Sequence, residues 1–241
     1  MGGTPMPLYS ATMTQMQSTP PLDRRRTSKA IVFDMDGLMI DSESVYWAVE
    51  RKMARAFGKE ATDQTLGSMM GRSPLDSMAI YARDLGLTQS PAELLEMRDT
   101  EVLETLRRGV TPMPGLFEVL DEFRPHYRLA IATSAGRRFV DVVIGQLHLA
   151  KYFDALQTSD DVKDGKPAPE IYLKAMAKLN VSPELCAVLE DSSNGALAGK
   201  RAGAYTIAVP SQYTSWQDFS FVDYVAKNLK DAAAHLRGEA P

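Results

Sequence analysis

Residues 29–43 read KAIVFDMDGLMIDSE. The apolar run Ala30, Ile31, Val32 and Phe33 is short and bounded by polar residues, which predicts a strand buried on both faces. Asp34 ends that run and is followed by Met35, Asp36 and Gly37. Two carboxylates therefore stand where a buried strand leaves the core, and in open α/β sheets this is where ligands bind. Gly37 lacks a Cβ, so the chain can turn sharply there and let a ligand approach the backbone. A bare Asp-x-Asp is most often only an acidic turn after a strand, so the weight falls on what the rest of the chain sets beside it.

The following stretch is helical. Val45, Val49, Met53 and Ala56 recur at helical spacing and Gly58 can close the helix. A second helical pattern covers about Ser73 to Leu85. A third begins at Ser90, with Pro91 at its first position and Glu93 completing a capping-box signature, and runs to about Arg108 before Gly109. No strand signal interrupts Ser44 to Val110, and Thr111-Pro112-Met113-Pro114-Gly115 marks the return to an alternating pattern. Helix Leu116–Phe123, strand Leu129–Ala132, a helical face at Val140, Val143, Ile144 and Leu147, a weak strand at Ala155–Gln157, a helical face at Tyr172, Ala175, Met176 and Leu179, and strands at Ala187–Leu189 and Tyr205–Val209 follow. Alternating strands and helices predict an α/β fold with a doubly wound parallel sheet. Gly195, Gly199 and Gly203 recur every fourth residue, which predicts a turn and helix lying close against that sheet.

Three further polar groups punctuate the pattern. Thr133-Ser134 follows a strand and precedes a helix, a natural place for an anion. Lys166 lies in DGKPAPE, where Pro167 and Pro169 stiffen the loop. Glu190-Asp191 leave the apolar run Ala187–Leu189. If those strands are neighbours, the groups converge at one edge. Carboxylates at close range repel one another and need a cation, and hard oxygen ligands suit Mg²⁺. Lys166 and Thr133 then supply donors for a phosphate, which together describes a phosphoryl-transfer site.

From Lys29 to Val209 the chain resembles the haloacid dehalogenase superfamily: Asp34, Asp36, Gly37, Asp41 and Glu43 match its first motif, and Thr133, Lys166 and Glu190-Asp191 the next three, in order. It is most similar to the branch of small-molecule phosphatases with a helical cap, a branch that also contains β-phosphoglucomutase. The resemblance implies a core of residues 28–43 and 112–241, an inserted all-helical cap of residues 44–111, and a leader of residues 1–27. It implies Asp34 as nucleophile, forming an aspartyl-phosphate, and Asp36 as general acid and base. Mg²⁺ would be held by Asp34, the Asp36 carbonyl, Asp191 and, directly or through water, Glu190. Thr133, Ser134 and Lys166 would bind the phosphoryl group, with Arg72 a candidate cap contact to substrate and a solvated arginine the alternative. The implied substrate is a small phosphorylated metabolite and the implied protein a monomer.

Asp36 argues against the dehalogenases and phosphonate-cleaving relatives, which lack the second aspartate. The mutase shares every motif, but it carries an Arg three residues after a cap Gly, where this chain has Pro74 after Gly71, and a His where this chain has Tyr46. Both departures favour hydrolysis. A non-catalytic phosphometabolite-binding protein would be expected to have lost part of the charged set, and none is missing.

The formal net charge of −4, with no long basic run outside Arg24–Arg26, disfavours nucleic acid as the main partner. No apolar stretch predicts a membrane span or a secretion signal. The leader reads as a mobile tail, with a targeting segment as the alternative, and the expected location is the cytoplasm. Cys186, the one cysteine, falls in an apolar run and reads as a buried inert thiol. His126, His148 and His235 lie near no motif, so neither a zinc site nor a histidine triad is supported.

Overall fold

The computed structural model describes residues 27–70 and 72–239; the leader up to Arg26, Gly71, Ala240 and Pro241 lie outside them. Strands β1 (Ala30–Phe33), β2 (Arg128–Ala132), β3 (Ala155–Gln157), β4 (Cys186–Glu190), β5 (Tyr205–Ala208) and β6 (Tyr224–Val225) form one sheet in the order β3-β2-β1-β4-β5-β6. Every pairing is parallel, so the sheet needs helical crossovers and is covered on both faces. The run that opens the chain's pattern is its centre: β1 pairs with β2 on one side and β4 on the other, and all four of its residues are fully buried. Strand alternation sends Ile31 and Phe33 to one face and Ala30 and Val32 to the other, each into its own apolar cluster.

Helices α1 (Ser42–Ala56), α2 (Asp63–Met69), α3 (Pro74–Leu85) and α4 (Pro91–Arg108) are inserted between β1 and β2. The capping box at α4 is formed in full: the Glu93 amide donates to the Ser90 hydroxyl at 3.3 Å and the Ser90 amide to the Glu93 carboxylate at 2.8 Å. The two crossings between insert and sheet lie side by side, joined by Asp41 N donating to Thr111 O at 3.0 Å and Met113 N to Met39 O at 2.9 Å. After the return come α5 (Leu116–Phe123), α6 (Arg137–Gln146), α7 (Glu170–Lys178), α8 (Ser193–Arg201) and α9 (Leu229–Arg237). Two of the three spaced glycines serve close packing as expected, Gly195 against Glu190 and Gly199, whose Cβ would meet Thr206 Oγ1 at 2.9 Å and Val188 Cγ1 at 3.0 Å; Gly203 instead takes a turn at φ +86°, with Pro183 at an ordinary 3.5 Å.

Three elements go beyond the sequence reading. α2 is seven residues long, too short to show a period, and starts on a Thr62 cap. β6 has only two residues. α9 carries a legible apolar face at Leu229, Ala232, Ala233 and Leu236 between an Asn228 cap and Gly238. Among the described residues no helix is long and apolar enough to cross a membrane.

Candidate active site

The carboxyl ends of β2, β1 and β4, three neighbours in the sheet, deliver Thr133, Asp34 and Glu190-Asp191 to one edge. The Asp34 amide donates to Leu189 O at 3.0 Å, which carries the β1–β4 ladder one residue beyond the strand and fixes where its side chain starts. Lys166 comes from the loop before α7 and is the hub. Its Nζ donates to Asp34 Oδ1 at 2.5 Å, to Glu190 Oε1 at 2.6 Å and to Ala132 O at 3.1 Å. The side chains of Lys166 and Asp34 are 7% exposed and that of Glu190 1%, so these ion pairs sit in a medium where charge is poorly screened.

Glu190 is fully engaged. Oε1 accepts from Lys166 and from the Tyr172 hydroxyl at 2.9 Å; Oε2 accepts from Ser192 N at 3.0 Å and Ser192 Oγ at 2.9 Å. It approaches α8 where only glycine fits, since a Cβ on Gly195 would lie 1.6 Å from Oε1. Asp191 likewise lies over Gly37, whose φ is +76° and whose missing Cβ would fall 2.3 Å from Oδ2. Ligand oxygens of Asp34, Glu190 and Asp191 all lie within 4.8 Å of one another, and all three residues are buried.

One ammonium is thus shared by two of the three clustered carboxylates, Asp34 and Glu190. Burial, together with the charge of its acidic neighbours, raises the Asp34 carboxyl well above its ordinary range despite Lys166. Burial and then the charges of Glu190 and Asp34 do the same to Asp191. Burial works against the charge on Lys166, but Asp34 and Glu190 outweigh it and hold the ammonium on. Asp36 stands apart from this triad. It faces Thr133, whose hydroxyl donates to Asp36 Oδ2 at 3.0 Å, and burial raises its carboxyl despite that bond.

The expected phosphate donors are placed differently from one another. Thr133 is fully buried; its hydroxyl gives its proton to Asp36 and accepts from Ala135 N at 3.0 Å, so it has no donor turned to the cleft. Ser134, the next residue, lines both cavities at the site. The first, of about 210 Å³, is bounded by Asp34, Asp36, Lys166 and Asp191; the second, of about 240 Å³, lies between that edge and the helical insert. Arg72 lines both, with its Nε donating to Ser68 O at 2.9 Å. Tyr46 and Pro74 also line the second cavity.

Reading the sequence did not single out Tyr172, Ser192, Glu50 or Arg98. The first two were masked by their ordinary roles in a helical face and a cap. Glu50 and Arg98 sit on helices α1 and α4, and only the packing of the insert turns them inward. Cys186 is fully buried, and burial pushes its thiol up to about 12, consistent with an inert core residue.

The fold and this edge define an α/β protein with an acidic site at the carboxyl ends of a doubly wound parallel sheet. Residues 31–209 match the family model of haloacid dehalogenase-like hydrolases, and the chain belongs to that family. It is 35% identical over 176 residues to a phosphorylated carbohydrates phosphatase of Thermotoga maritima, covering 73% of this chain and 82% of that one. It is 30% identical over 227 residues to protein CbbY of Rhodobacter capsulatus, covering 88% and 99%. The crystal structure of CbbY from Rhodobacter sphaeroides in complex with phosphate superposes with a TM-score of 0.73 at 25% identity, covering 84% of this chain and 95% of that one. The chain is an enzyme of the phosphatase type within this hydrolase family.

Proposed function

We propose that the protein is a Mg²⁺-dependent phosphatase that hydrolyses a small phosphorylated carbohydrate or related phosphomonoester through an aspartyl-phosphate on Asp34. The observation that carries this reading is Lys166 Nζ bridging Asp34 and Glu190, with Asp191 completing a buried triad. The relatives' names agree with it: one is a phosphorylated carbohydrates phosphatase, another a fructose-1-phosphate phosphatase.

The donor set fits a hard divalent cation, because oxygens of three buried carboxylates cluster within 4.8 Å of one another and only one ammonium is set against them. Asp34 and Asp191 would hold it, with the Asp36 carbonyl, while both oxygens of Glu190 are already taken and that residue instead anchors Lys166. When bound, Mg²⁺ would offset the repulsion between the nucleophile and the phosphoryl oxygens.

Asp34 attacks phosphorus, the bond to the leaving oxygen breaks, and Asp36 gives that oxygen its proton. A water then yields a proton to Asp36 and attacks the same phosphorus, freeing Asp34 and phosphate. Burial favours the protonated form of Asp36 that the first step needs. Lys166 and Ser134 hold the phosphoryl oxygens, and Thr133 orients Asp36. Monoester hydrolysis can demand up to ~10²¹-fold acceleration, while proton transfer supplies only ~10²–10⁴-fold. The charge clamp and the covalent step therefore carry most of the work.

Residues 44–111 act as a cap that closes over the edge, moving about the paired crossings near Asp41 and Thr111. Tyr46 and Pro74, in place of the mutase His and Arg, both face the cavity and favour hydrolysis over phosphate transfer within a sugar. The enzyme works as a cytoplasmic monomer. The test is phosphate release from a panel of phosphorylated sugars and polyols, with Mg²⁺ and with excess chelator. Full activity in chelator, or none on the panel with Mg²⁺, overturns the reading.

A further inference from the structure

We propose that the cavity beside Asp36 accepts a neutral polyhydroxylated leaving group and rejects one that carries a second phosphate, with Glu50 as the residue that sets this choice. The proposal rests on the phosphatase reading and specifies its substrate class.

The cavity, about 240 Å³, falls below the ~300 Å³ at which drug-sized sites begin, so the leaving group is small. Trp47, Leu66 and Met69 give it apolar wall suited to the C–H face of a sugar or polyol. Glu50 lies on that wall, 4% exposed, in the middle of α1. Tyr81 pins its backbone by donating to Glu50 O at 2.6 Å. No hydrogen bond from the described residues reaches the Glu50 carboxylate; its nearest cation, Arg98 Nη1, is 3.9 Å away, beyond hydrogen-bond range. Buried carboxylates are normally satisfied, and one left open on a cavity wall is an acceptor waiting for donors. Hydroxyl groups supply such donors; a phosphate dianion supplies none.

The cations do not reverse this preference. Arg98 is held by Asp99, its Nε and Nη2 lying 3.2 and 2.9 Å from Oδ1, and its guanidinium stacks 5.1 Å from the Tyr46 ring centre. Asp99 is itself shared with Arg138 of α6 at 2.6 Å. The remaining charge of Arg98 faces Glu50. Arg72 opens onto the cavity that holds Asp34 as well, where the transferring phosphoryl group lies. A second phosphate deep in the pocket would meet Glu50 and Glu43 at close range, with Arg72, which lines both cavities, left to serve both phosphates.

The experiment compares kcat/KM, with Mg²⁺ at pH 8, where Glu50 and Glu43 are ionised, for pairs that differ only in the second phosphate, such as fructose 1-phosphate and fructose 1,6-bisphosphate. The wild type is expected to favour the monophosphate by ~10-fold or more, and Glu50→Gln to shrink that ratio by ~10-fold, chiefly by lowering KM for the bisphosphate. Glu43→Gln is expected to move the ratio the same way, and stands in if Glu50→Gln fails to fold. A wild type that prefers the bisphosphate, or folded variants with an unchanged ratio, overturns the proposal. Phosphate release from the wider panel of sugar and polyol phosphates is measured alongside: its absence from every member sinks the phosphatase reading, while its presence with no discrimination sinks only the selection by Glu50.

Discussion

Replacing Glu50 by Gln is expected to stabilise the protein at pH 8 and to have little effect on stability near pH 4. Burial, with the charge of Glu43 added and that of Arg98 subtracted, holds the Glu50 carboxyl at about 7 against an ordinary 4.5. The folded protein thus binds this proton more tightly than the unfolded chain. The stability it contributes is complete below about pH 4.5 and is lost as the pH rises through about 7. At ~1.4 kcal/mol per pH unit the loss reaches roughly 3 kcal/mol on the alkaline side. Glutamine keeps the shape and cannot ionise, so it escapes that loss. For a chain of this size ~1 kcal/mol moves Tm by about 2–4 °C, which predicts a gain of roughly 6–12 °C at pH 8. The assay is thermal melting of both proteins in chelator from pH 5 to 8, followed by circular dichroism. Glu43 is also held at about 7 and titrates in both proteins, so most of its effect drops out of the comparison. Parallel Tm profiles across that range, or a variant less stable at pH 8, would refute the reasoning.

Gly195→Ala places a Cβ 1.6 Å from Glu190 Oε1; a shift of about 1 Å in Lys166 follows, and kcat is expected to fall by ~10²-fold with the fold retained, as read by steady-state kinetics beside circular dichroism. Asp34→Asn is expected to abolish turnover and, without metal, to leave Tm equal or higher, because a buried carboxylate in an acidic cluster is replaced by an amide; normal rates would rule out the covalent route. Asp36→Asn is expected to give a burst of p-nitrophenol from p-nitrophenyl phosphate followed by slow turnover, since Asp34 can still be phosphorylated by a good leaving group while its hydrolysis lacks a base. A linear trace at the wild-type rate would remove Asp36 from that role.

The sequence makes the central sheet legible because buried parallel strands are continuous apolar runs, and β1 falls on the residues that such a run predicts, while β3, half-buried at the sheet's edge and ending in Gln157, shows only a weak signal. The convergence of Asp34, Lys166 and Glu190 was also readable, since each follows or flanks a strand end and strand order then does the rest. Side-chain partnership was not. Thr133 and Ser134 are adjacent, and nothing in their order says that the first turns its proton to Asp36 while the second faces the cavity. The insert was legible as helices but not as a wall. Glu50 occupies a helical position where a charged residue normally meets water, and only the packing of α1 against α4 closes over it.

The glycine spacing in α8 bears on the chemistry through a chain of contacts. Gly195 lets the helix start close enough for Ser192, its cap, to reach back: the Ser192 hydroxyl accepts from Gly195 N at 3.2 Å and donates to Glu190 Oε2 at 2.9 Å. With that oxygen fixed, and Tyr172 on the other, Glu190 has one remaining task, which is to share the Lys166 ammonium with Asp34. Lys166 would otherwise be a long side chain entering from a loop with several rotamers open to it. Held between two buried carboxylates and the Ala132 carbonyl, it stays in one, and Asp34 takes its orientation from it. A motif that in an apolar helix would signal membrane packing here sets the position of the proposed nucleophile, three contacts away, and it does so because the smallest residue is the only one that leaves room for the anchor.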